Sequence, residues 1–346
     1  MKVVHLLPAL EQGGVETVVV GLADALGRAG VETVVVSKGG RLVAAVEAAG
    51  ASHVALDLKS KNPLTYFFRA WRLRRVLAAE QPDLVCVHSR VPAWLFVWAN
   101  RTLRLPWISY AHGANSVSRY SEVMTKGDRV IVPSSFLADY LKAHYPVTDE
   151  TIRVVPNAVD TARFDPARID SAAVEALRRE WGLDAADRVL MAVGRITPVK
   201  GLDSLVRDFA AEAARTPNLK LVIVGGADRR HVGYLDELRR LAASLGIAGR
   251  VVFAGSRADV PECLAVADEV VSANTTKPET FGLSVVEAYA MNKPVRAKRF
   301  GGVGEVMAAV EAMHAPTLRE AVTALYGPEV QAERTLSVYR EVLKMI

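Results

Sequence analysis

Short apolar runs alternate along the chain with longer amphipathic stretches. In the first half, the runs that predict strands are 2–7, 33–37, 53–56, 84–88, 107–110, 129–132 and 152–155. Between these runs lie amphipathic stretches that predict helices, such as 15–29, 65–80 and 134–143. Apolar strands separated by helices are typical of a parallel sheet with crossover helices. The pattern therefore predicts an α/β fold.

The same alternation returns in the second half. Its predicted strands are 188–193, 219–224, 250–254, 268–273 and 294–297. Its predicted helices are 201–214, 232–245, 282–291 and 302–313. Between the halves, segment 157–172 replaces the apolar period with Asp, Pro and Ala. A chain of 346 residues is too long for one ordinary α/β core. We therefore expect two doubly wound domains, 1–160 and 161–328, with ligands bound in a cleft at the carboxyl ends of the strands.

Charge is concentrated in one part of the first domain. The chain carries a net charge of +5, and segment 59–104 alone carries +7, from nine basic and two acidic residues. The basic residues are Lys59, Lys61, Arg69, Arg72, Arg74, Arg75, Arg90, Arg101 and Arg104. The aromatic residues among them are Tyr66, Phe67, Phe68, Trp71, Trp94, Phe96 and Trp98. This mixture suits an anionic membrane surface, and it equally suits a solvated helix face packed on a core. Nucleic acid is not expected, because no nucleic-acid-binding motif accompanies the charge.

Several features indicate a cytoplasmic protein. The chain enters directly into a strand pattern at Lys2 and lacks the features of a signal peptide, and it contains no run of 18 apolar residues. Its two cysteines, Cys86 and Cys263, lie far apart in apolar contexts. We expect buried free thiols, as in a reducing compartment, and a protein that can lie at the inner face of the cytoplasmic membrane.

The segment PETFGLSVVE, residues 278–287, carries the chemistry of greatest interest. Glu279 ends a loop, Gly282 lets the backbone bend, and a helix is predicted from about Leu283. The free N–H groups and positive end of such a helix suit a phosphate, and Glu287 in its second turn can accept hydrogen bonds from sugar hydroxyls. The alternative is an ordinary loop-to-helix junction with two solvated acids.

The longer run PETFGLSVVEAYAMNKPV, residues 278–295, resembles the paired-glutamate signature of the retaining glycosyltransferases of the GT-B fold, family 4 (group 1). The resemblance implies two Rossmann-like domains facing across a cleft, with a helix at about 329–346 that packs back on the first. It implies that Glu287 binds the ribose of a nucleotide-sugar and that Glu279 lies beside the transferred sugar. The backbone groups that would hold the diphosphate are those of Gly282, Leu283 and Ser284.

A second match is VGRITPVKGLDSLV, which contains Gly194, Arg195 and Lys200. It resembles the arginine–lysine pair with which the family stabilises the diphosphate leaving group. The alternative is a surface pair without a partner. In the first domain, GGVET resembles the family's glycine loop, so Gly13 and Gly14 are candidates for close approach to a phosphate or sugar, or for a tight turn alone.

The segment WISYAHG places His112 at the end of a first-domain strand. The family has a histidine there, close to the donor sugar, where it hydrogen-bonds a hydroxyl or supports charge. A structural loop histidine is the alternative, and His88 at the end of another strand is the second candidate.

Absent motifs limit the chemistry. The sequence has no Asp-x-Asp triplet, no HExxH, no paired CxxC and no P-loop lysine motif. We therefore expect no metal ion and no other cofactor, the nucleotide-sugar being a substrate.

The sequence predicts a retaining glycosyltransferase that moves a hexose-type sugar from a nucleotide diphosphate, such as a UDP-sugar, to an acceptor. The resemblance to bacterial lipopolysaccharide-core and cell-envelope glycosyltransferases, with the basic aromatic segment, favours a membrane-associated glycolipid or lipopolysaccharide-core acceptor. A soluble acceptor, a GT-B nucleotide-sugar epimerase and a non-catalytic sugar-nucleotide-binding module remain open.

Overall fold

A computed structural model describes residues 1–11, 13–228, 230–274 and 277–345. The chain divides into two compact units. One consists of Met1–Ala158 with Tyr326–Ile346, and the other consists of Val159–Leu325. Each unit is built around its own parallel sheet with helices, so the predicted α/β fold with two parallel sheets is confirmed.

The described part of the first unit contains a seven-stranded sheet. Strands β1 to β7 are Lys2–Leu6, Glu32–Ser37, Ser52–Ala55, Leu84–Val87, Trp107–Tyr110, Arg129–Val132 and Ile152–Val154. Their order across the sheet is β3-β2-β1-β4-β5-β6-β7, and all neighbours are parallel. The order reverses between β1 and β4, and such a point opens a crevice for ligands in doubly wound sheets. Helices α1 to α6 are Gly14–Arg28, Val43–Ala48, Tyr66–Glu80, Arg90–Leu103, Arg119–Glu122 and Ser135–His144.

The described part of the second unit contains a five-stranded sheet of order β10-β9-β8-β11-β12. Strands β8 to β12 are Arg188–Val193, Leu219–Val224, Val251–Gly255, Glu269–Ser272 and Val295–Ala297. Helices α7 to α13 are Ser171–Glu180, Leu202–Ala213, Val232–Ser244, Val260–Val266, Leu283–Ala290, Gly301–Ala312 and Leu318–Tyr326. Here too every strand pair is parallel, and the order reverses between β8 and β11.

One further helix, α14 (Pro328–Leu343), packs on the first unit. The side chain of Tyr339 is fully buried, and its hydroxyl lies 2.9 Å from that of Tyr110 on β5. Near the end of α14, Glu341 accepts a hydrogen bond of 2.6 Å from Arg129 and another from Arg153, which lie on β6 and β7. These contacts fix α14 across the sheet. The predicted helix extended to Ile346, which lies outside the described residues.

The two cysteines are buried free thiols, as predicted. Burial raises the pKa of each thiol to about 12. Among the described residues, no helix has both the length and the apolar character that a bilayer span requires.

Candidate functional site

A small pocket lies at the carboxyl edge of the second sheet, where β8 and β11 end. The residues that line it are Ala192, Val193, Gly194, Arg195, Lys200, Leu202, Ile223, Val271, Ser272, Ala273, Asn274, Glu279 and Ser284. Five of these are candidate site residues: Gly194, Arg195, Lys200, Glu279 and Ser284. The structure thus brings together side chains that lie up to 90 positions apart in the sequence.

Arg195 and Lys200 differ in their surroundings, although both follow β8. Lys200 ends a short 3-10 helix, Pro198–Lys200, and its ammonium lies 2.5 Å from a carboxylate oxygen of Glu279. Arg195 is exposed, and its guanidinium has no hydrogen-bond or ion-pair partner among the residues that the structure describes. One cation is therefore fixed, and the other can adapt to a ligand.

The turn before α11 requires glycine. Gly282 has a φ of 96°, and a Cβ atom there would lie 2.6 Å from a methyl group of Val303. Helix α11 begins at Leu283, and none of the described side chains caps its first turn. The backbone N–H groups of Leu283 and Ser284 are consequently available to an anion at the positive end of the helix.

A contact with the start of α12 helps to fix the position of Glu279, and sequence reasoning missed this contact. At the start of α12, the backbone N–H of Gly302 donates a hydrogen bond of 2.8 Å to the carbonyl oxygen of Glu279. A Cβ atom on Gly302 would overlap the backbone of Thr280, so only glycine allows this close packing. The glycine-rich run at 301–304 is the local signal from which this close packing could have been predicted.

Glu287 lies in the second turn of α11 as a half-buried carboxyl. Its side chain has no hydrogen-bond partner in the described part of the chain. Burial raises its pKa to about 7, and the charge of Arg163 opposes that rise only partly. Because a carboxyl with a pKa of about 7 is present in both its protonated and its ionised form near neutral pH, it can donate or accept a hydrogen bond there.

In the first unit, Gly13 and Gly14 follow β1, and α1 begins at Gly14. Gly13 is the extended N-cap residue, and no side chain caps this helix either. The carboxylate of Glu16 lies against Gly13, where a Cβ atom would overlap it. The glycine loop therefore leads through an extended glycine into a helix N-terminus.

His112 follows β5 and belongs to a row of three histidines. His5 lies on β1, and His88 follows β4. Burial lowers the pKa of His5 to about 3 and that of His112 to about 4, and it lowers the pKa of His88 well below its usual value. These lowered pKa values favour neutral rings, and a neutral imidazole has one hydrogen-bond donor and one acceptor. Sequence reasoning named His88 only as a second candidate and gave His5 no role.

The basic aromatic segment of the first unit is only partly a surface. Arg69 is 5% exposed, and its guanidinium donates hydrogen bonds of 3.1 and 3.2 Å to Thr65 and to the carbonyl oxygen of Asn62. Phe96 is fully buried in the core. These two side chains therefore stabilise the fold around α3 and α4, which agrees with the alternative of a helix face packed on a core.

The exposed large apolar side chains in and just before α3 are here called the α3 patch. Its members, 39 to 91% exposed, are Leu64, Phe67, Phe68 and Trp71. The rings of Phe68 and Trp71 are stacked with centroids 6.0 Å apart, and the guanidinium of Arg75 lies 5.1 Å from the centroid of Trp71. Exposed Arg72 adds a second positive charge beside the patch.

The predicted site residues thus form one set in each unit. The second unit holds the pocket residues together with Gly282, Leu283 and Glu287, and the first unit holds Gly13, Gly14 and His112. Within the described ranges, no group of three or more His, Cys, Asp or Glu side chains has the arrangement of a metal site.

Two protein-family models match the chain in succession. The model described as Glycosyltransferase Family 4 matches residues 12–163. The model described as Glycosyl transferases group 1 matches residues 173–318. Between them, they cover most of both units.

Curated relatives match part of the chain. The D-inositol 3-phosphate glycosyltransferase of Rhodococcus opacus (strain B4) is 36% identical over 188 residues, which are 53% of this chain and 40% of that relative. The chain therefore matches less than half the length of this curated protein.

Solved structures match nearly the whole chain. A glycosyltransferase from Rickettsia africae has a TM-score of 0.84 at 22% identity, covering 99% of this chain and 98% of the other. HepE from Anabaena, in complex with UDP and glucose, has a TM-score of 0.83 at 20% identity, covering 98% of this chain and 99% of the other. At such identities, the likeness establishes the fold.

Proposed function

Since the chain belongs to the family 4, group 1 glycosyltransferases and has the GT-B fold, we propose that it transfers a hexose-type sugar from a nucleotide diphosphate to an acceptor hydroxyl with retention of the anomeric configuration. The donor that we propose is a UDP-sugar. The solved complex of HepE with UDP and glucose supports this choice, because that protein shares the fold over its full length.

The observation that carries the proposal is the concentration of positive charge at one pocket. Lys200 and Arg195 line it, and the uncapped N-terminus of α11 adds backbone N–H donors at Leu283 and Ser284. A diphosphate carries negative charge, and more develops on its terminal phosphate as the glycosidic bond breaks. Oriented cations and a helix N-terminus stabilise such charge most strongly in the transition state. These groups can serve the leaving phosphate without a metal ion.

Glu279 has two tasks in this proposal. Its carboxylate holds the Lys200 ammonium at 2.5 Å, which orients the cation at the pocket. Its remaining oxygen lone pairs can accept hydrogen bonds from hydroxyls of the transferred sugar. A carboxylate engaged with lysine is poorly suited to attack as a nucleophile. We therefore propose same-face attack, in which the acceptor oxygen bonds to the sugar carbon as the bond to phosphate breaks, and the departing phosphate takes the acceptor's proton.

Glu287 is the proposed ribose-binding residue. Its half-buried carboxyl has no hydrogen-bond partner among the described residues, and ribose presents two neighbouring hydroxyls. Hydrogen bonds to those hydroxyls would satisfy a polar group that burial otherwise destabilises.

The α3 patch supports a membrane-associated acceptor such as a glycolipid or lipopolysaccharide core. Exposed Phe67, Phe68 and Trp71 suit the headgroup boundary of a bilayer, while Arg72 and Arg75 suit anionic phosphates. The protein would then lie peripherally at the inner face of the cytoplasmic membrane.

A soluble acceptor is the second candidate. The curated relatives are named for D-inositol 3-phosphate, a small phosphorylated polyol, and this name supports a soluble acceptor. A nucleotide-sugar epimerase would need no acceptor at all, so product analysis distinguishes the three.

The deciding experiment supplies radiolabelled UDP-, GDP- and ADP-sugars together with either membrane lipid extract or D-inositol 3-phosphate. We expect label from a UDP-sugar in the lipid fraction, with the anomeric configuration of the donor retained in the product by NMR. Label found only in a soluble product would overturn the membrane acceptor. Epimerised donor, or no transfer from any of the three nucleotides, would overturn the proposed function itself.

A further inference from the structure

The side chain of Asn274 is a buried polar group in the candidate pocket of the second unit. The residue follows the end of β11 by two positions, lines the pocket and is only 6% exposed. Its amide group has no hydrogen-bond partner among the residues that the structure describes. Buried amides in folded proteins are nearly always hydrogen-bonded, so this exception calls for an explanation.

The amide of Asn274 is open to the pocket and is not enclosed by the core. Some unpaired polar atoms of the described residues are sealed from solvent, and Nε2 of His5 and Oγ1 of Thr335 are examples. The amide atoms of Asn274 are not sealed in this way, and the residue lines the pocket together with Lys200 and Ser284. The small exposed part of this side chain therefore faces the place where a ligand would bind.

A buried amide without hydrogen bonds weakens the free protein. A carboxamide offers two N–H donors and one carbonyl acceptor, and burial removes all of them from water without compensation. The same pocket is lined by the apolar side chains of Ile223 and Val271, which an apolar residue at position 274 would match. The presence of an amide instead indicates a partner that the free chain does not contain.

The charges around the pocket indicate the chemistry of that partner. Arg195 and Lys200 supply two cations, Glu279 supplies one carboxylate, and the first turn of α11 adds backbone N–H groups. Such a pocket attracts an anion. Because an ionised phosphate oxygen only accepts hydrogen bonds, the amide would meet it with its N–H donors. A neutral donor also avoids the desolvation that a third cation would require at so buried a position.

We propose that Asn274 is a further donor-binding residue, whose amide donates a hydrogen bond to the terminal phosphate of the nucleoside diphosphate. The inference rests on the proposed function for its ligand and adds one specific contact to it. Asn274 shares the pocket with Glu279, to which we assign the transferred sugar, so the phosphate bonded to that sugar is the one assigned to the amide. Since negative charge develops on this phosphate as the glycosidic bond breaks, the hydrogen bond strengthens in the transition state.

Thermal melts of the ligand-free protein test whether the amide supports the fold. The melting temperature of Asn274→Leu should equal or exceed that of the parent, because this substitution removes an unpaired polar group and breaks no hydrogen bond. Asn100→Leu is the matched control. The amide of Asn100 exchanges two hydrogen bonds of 2.8 Å with the backbone of Leu105, so its loss should lower the melting temperature. A fall in both Asn274→Leu and Asn274→Ala, as in the control, overturns the proposal.

The binding of UMP and UDP, measured by calorimetry at pH 8, locates the contact. The parent should bind UDP more tightly than UMP, because the pocket donors act on the terminal phosphate. Asn274→Ala, which cannot obstruct the pocket, should bind UDP at least about tenfold more weakly, the effect of one hydrogen bond to a charged group. It should bind UMP like the parent, and Asn100→Leu should bind both like the parent. Equal losses for UMP and UDP in Asn274→Ala overturn the assignment to the terminal phosphate.

An aspartate variant distinguishes a donor from an acceptor. Asn274→Asp keeps the shape of the side chain and replaces its N–H donors by a carboxylate oxygen. If the amide donates to phosphate, this variant should bind UDP and UDP-glucose more weakly than Asn274→Ala does, because two negative groups then face each other. If the amide instead accepts from a sugar hydroxyl, Asn274→Asp binds UDP-glucose like the parent and none of the variants changes UDP affinity. That result overturns the proposal.

Two results separate this inference from the proposed function. If UDP binds to the parent and the variants as expected but no sugar is transferred to any acceptor, the Asn274 contact stands and the proposed function fails. If the parent transfers sugar and Asn274→Ala binds UDP as tightly as the parent, the proposed function stands and the Asn274 contact fails.

Discussion

Nζ of Lys200 lies 2.5 Å from Oε1 of Glu279, and the two side chains are only 27% and 17% exposed. The contact joins the turn after β8 to the loop before α11, so it sets the distance between the two sides of the pocket. Arg195, five residues before Lys200, has no such partner among the described residues. The two cations are therefore expected to respond differently to substitution.

Replacing either cation with alanine should lower turnover by roughly 10²-fold, because each is an oriented donor to a developing negative charge. Arg195→Ala should leave the melting temperature unchanged, since the guanidinium is exposed and has no partner in the part of the chain that the structure describes. Lys200→Ala should lower it, because Glu279 loses its partner. Steady-state rates and thermal melts measure both effects. Arg207→Ala, at an exposed position of α8, is the control, and a parent-like rate in either pocket variant removes that cation from the mechanism.

Replacing Glu287 with glutamine should weaken the binding of UDP by about 1–3 kcal/mol, the range for a hydrogen bond to a charged group. Isothermal titration calorimetry at pH 8 is the appropriate measurement, because the carboxyl is then mostly ionised. Glu237→Gln changes an exposed glutamate of α9 and should bind UDP like the parent. Equal affinity of parent and Glu287→Gln would show that this carboxyl does not contact the nucleotide.

The raised pKa of Glu287 predicts a specific pH dependence of stability. Between the ordinary value of 4.5 and the folded value of about 7, the folded state binds more protons at this site than the unfolded state. The contribution of Glu287 to the free energy of unfolding therefore falls as the pH rises through this window. Glu287→Gln should gain stability relative to the parent on going from pH 5 to pH 8, measured by urea unfolding. A difference that stays constant across these pH values contradicts the burial of this carboxyl.

Sugar transfer should survive excess EDTA. The cations that we propose for the leaving phosphate are Arg195 and Lys200, and both belong to the chain. Rates measured with EDTA, with Mg²⁺ and with Mn²⁺ should agree within about twofold, far less than the 10²-fold effect of losing an oriented cation. Loss of activity with the chelator, restored by either metal, would show that an ion takes the role assigned to these side chains.

The protein should bind anionic lipid vesicles at low salt through the α3 patch. Arg72→Gln with Arg75→Gln should weaken binding by about 2 kcal/mol, roughly 1 kcal/mol for each arginine, and salt should reduce the difference. Phe67→Ser with Phe68→Ser should weaken binding at both salt concentrations, because the apolar contribution is not screened. Vesicle co-sedimentation measures both.

The charge control for this experiment is Arg207→Gln with Arg334→Gln. It removes the same net charge from exposed positions on α8 and α14, away from the patch. It should bind vesicles like the parent, and UDP affinity should be unchanged in all three double variants. If the parent ignores anionic vesicles at low salt, the membrane proposal fails and the soluble acceptor becomes the better candidate.

The central strands were predictable because a parallel strand covered on both faces is apolar along its whole length. Each described strand lies within one or two residues of a predicted run. Helices α2, α4, α5, α7, α10 and α13 were not among the stretches named from the sequence. In α4, Pro92 lies in the first turn, where proline is tolerated because the N–H groups there have no helical partner. Helix α7 was missed because its first residues were assigned to the linker at 157–172.

Only those parts of the candidate site that lie within a single local motif could be predicted from sequence. The spacing of Glu279, Gly282 and Glu287 already indicated a loop, a turn and a helix. The pairing of Glu279 with Lys200 joins residues 79 positions apart and depends on the adjacency of β8 and β11. The row of three histidines likewise depends on strand order. His5 lies on β1, His88 follows β4 and His112 lies just beyond β5, and these three strands lie side by side. No local pattern records such adjacency.

The position of α14 at the end of the chain determines when the first unit can complete its folding and how that unit can be produced separately. Its side chains share a core with α1 and the first sheet, and the residues concerned include Leu22, Leu26, Leu336, Tyr339 and Val342. A ribosome therefore releases the whole of the second unit before it can deliver the helix that completes the first. A fragment that ends at Ala158 would present an uncovered apolar face to solvent and would tend to aggregate. Separate production of the first unit would require residues 326–345 to be joined by a linker to Ala158 or to Met1, or to be supplied as a second chain.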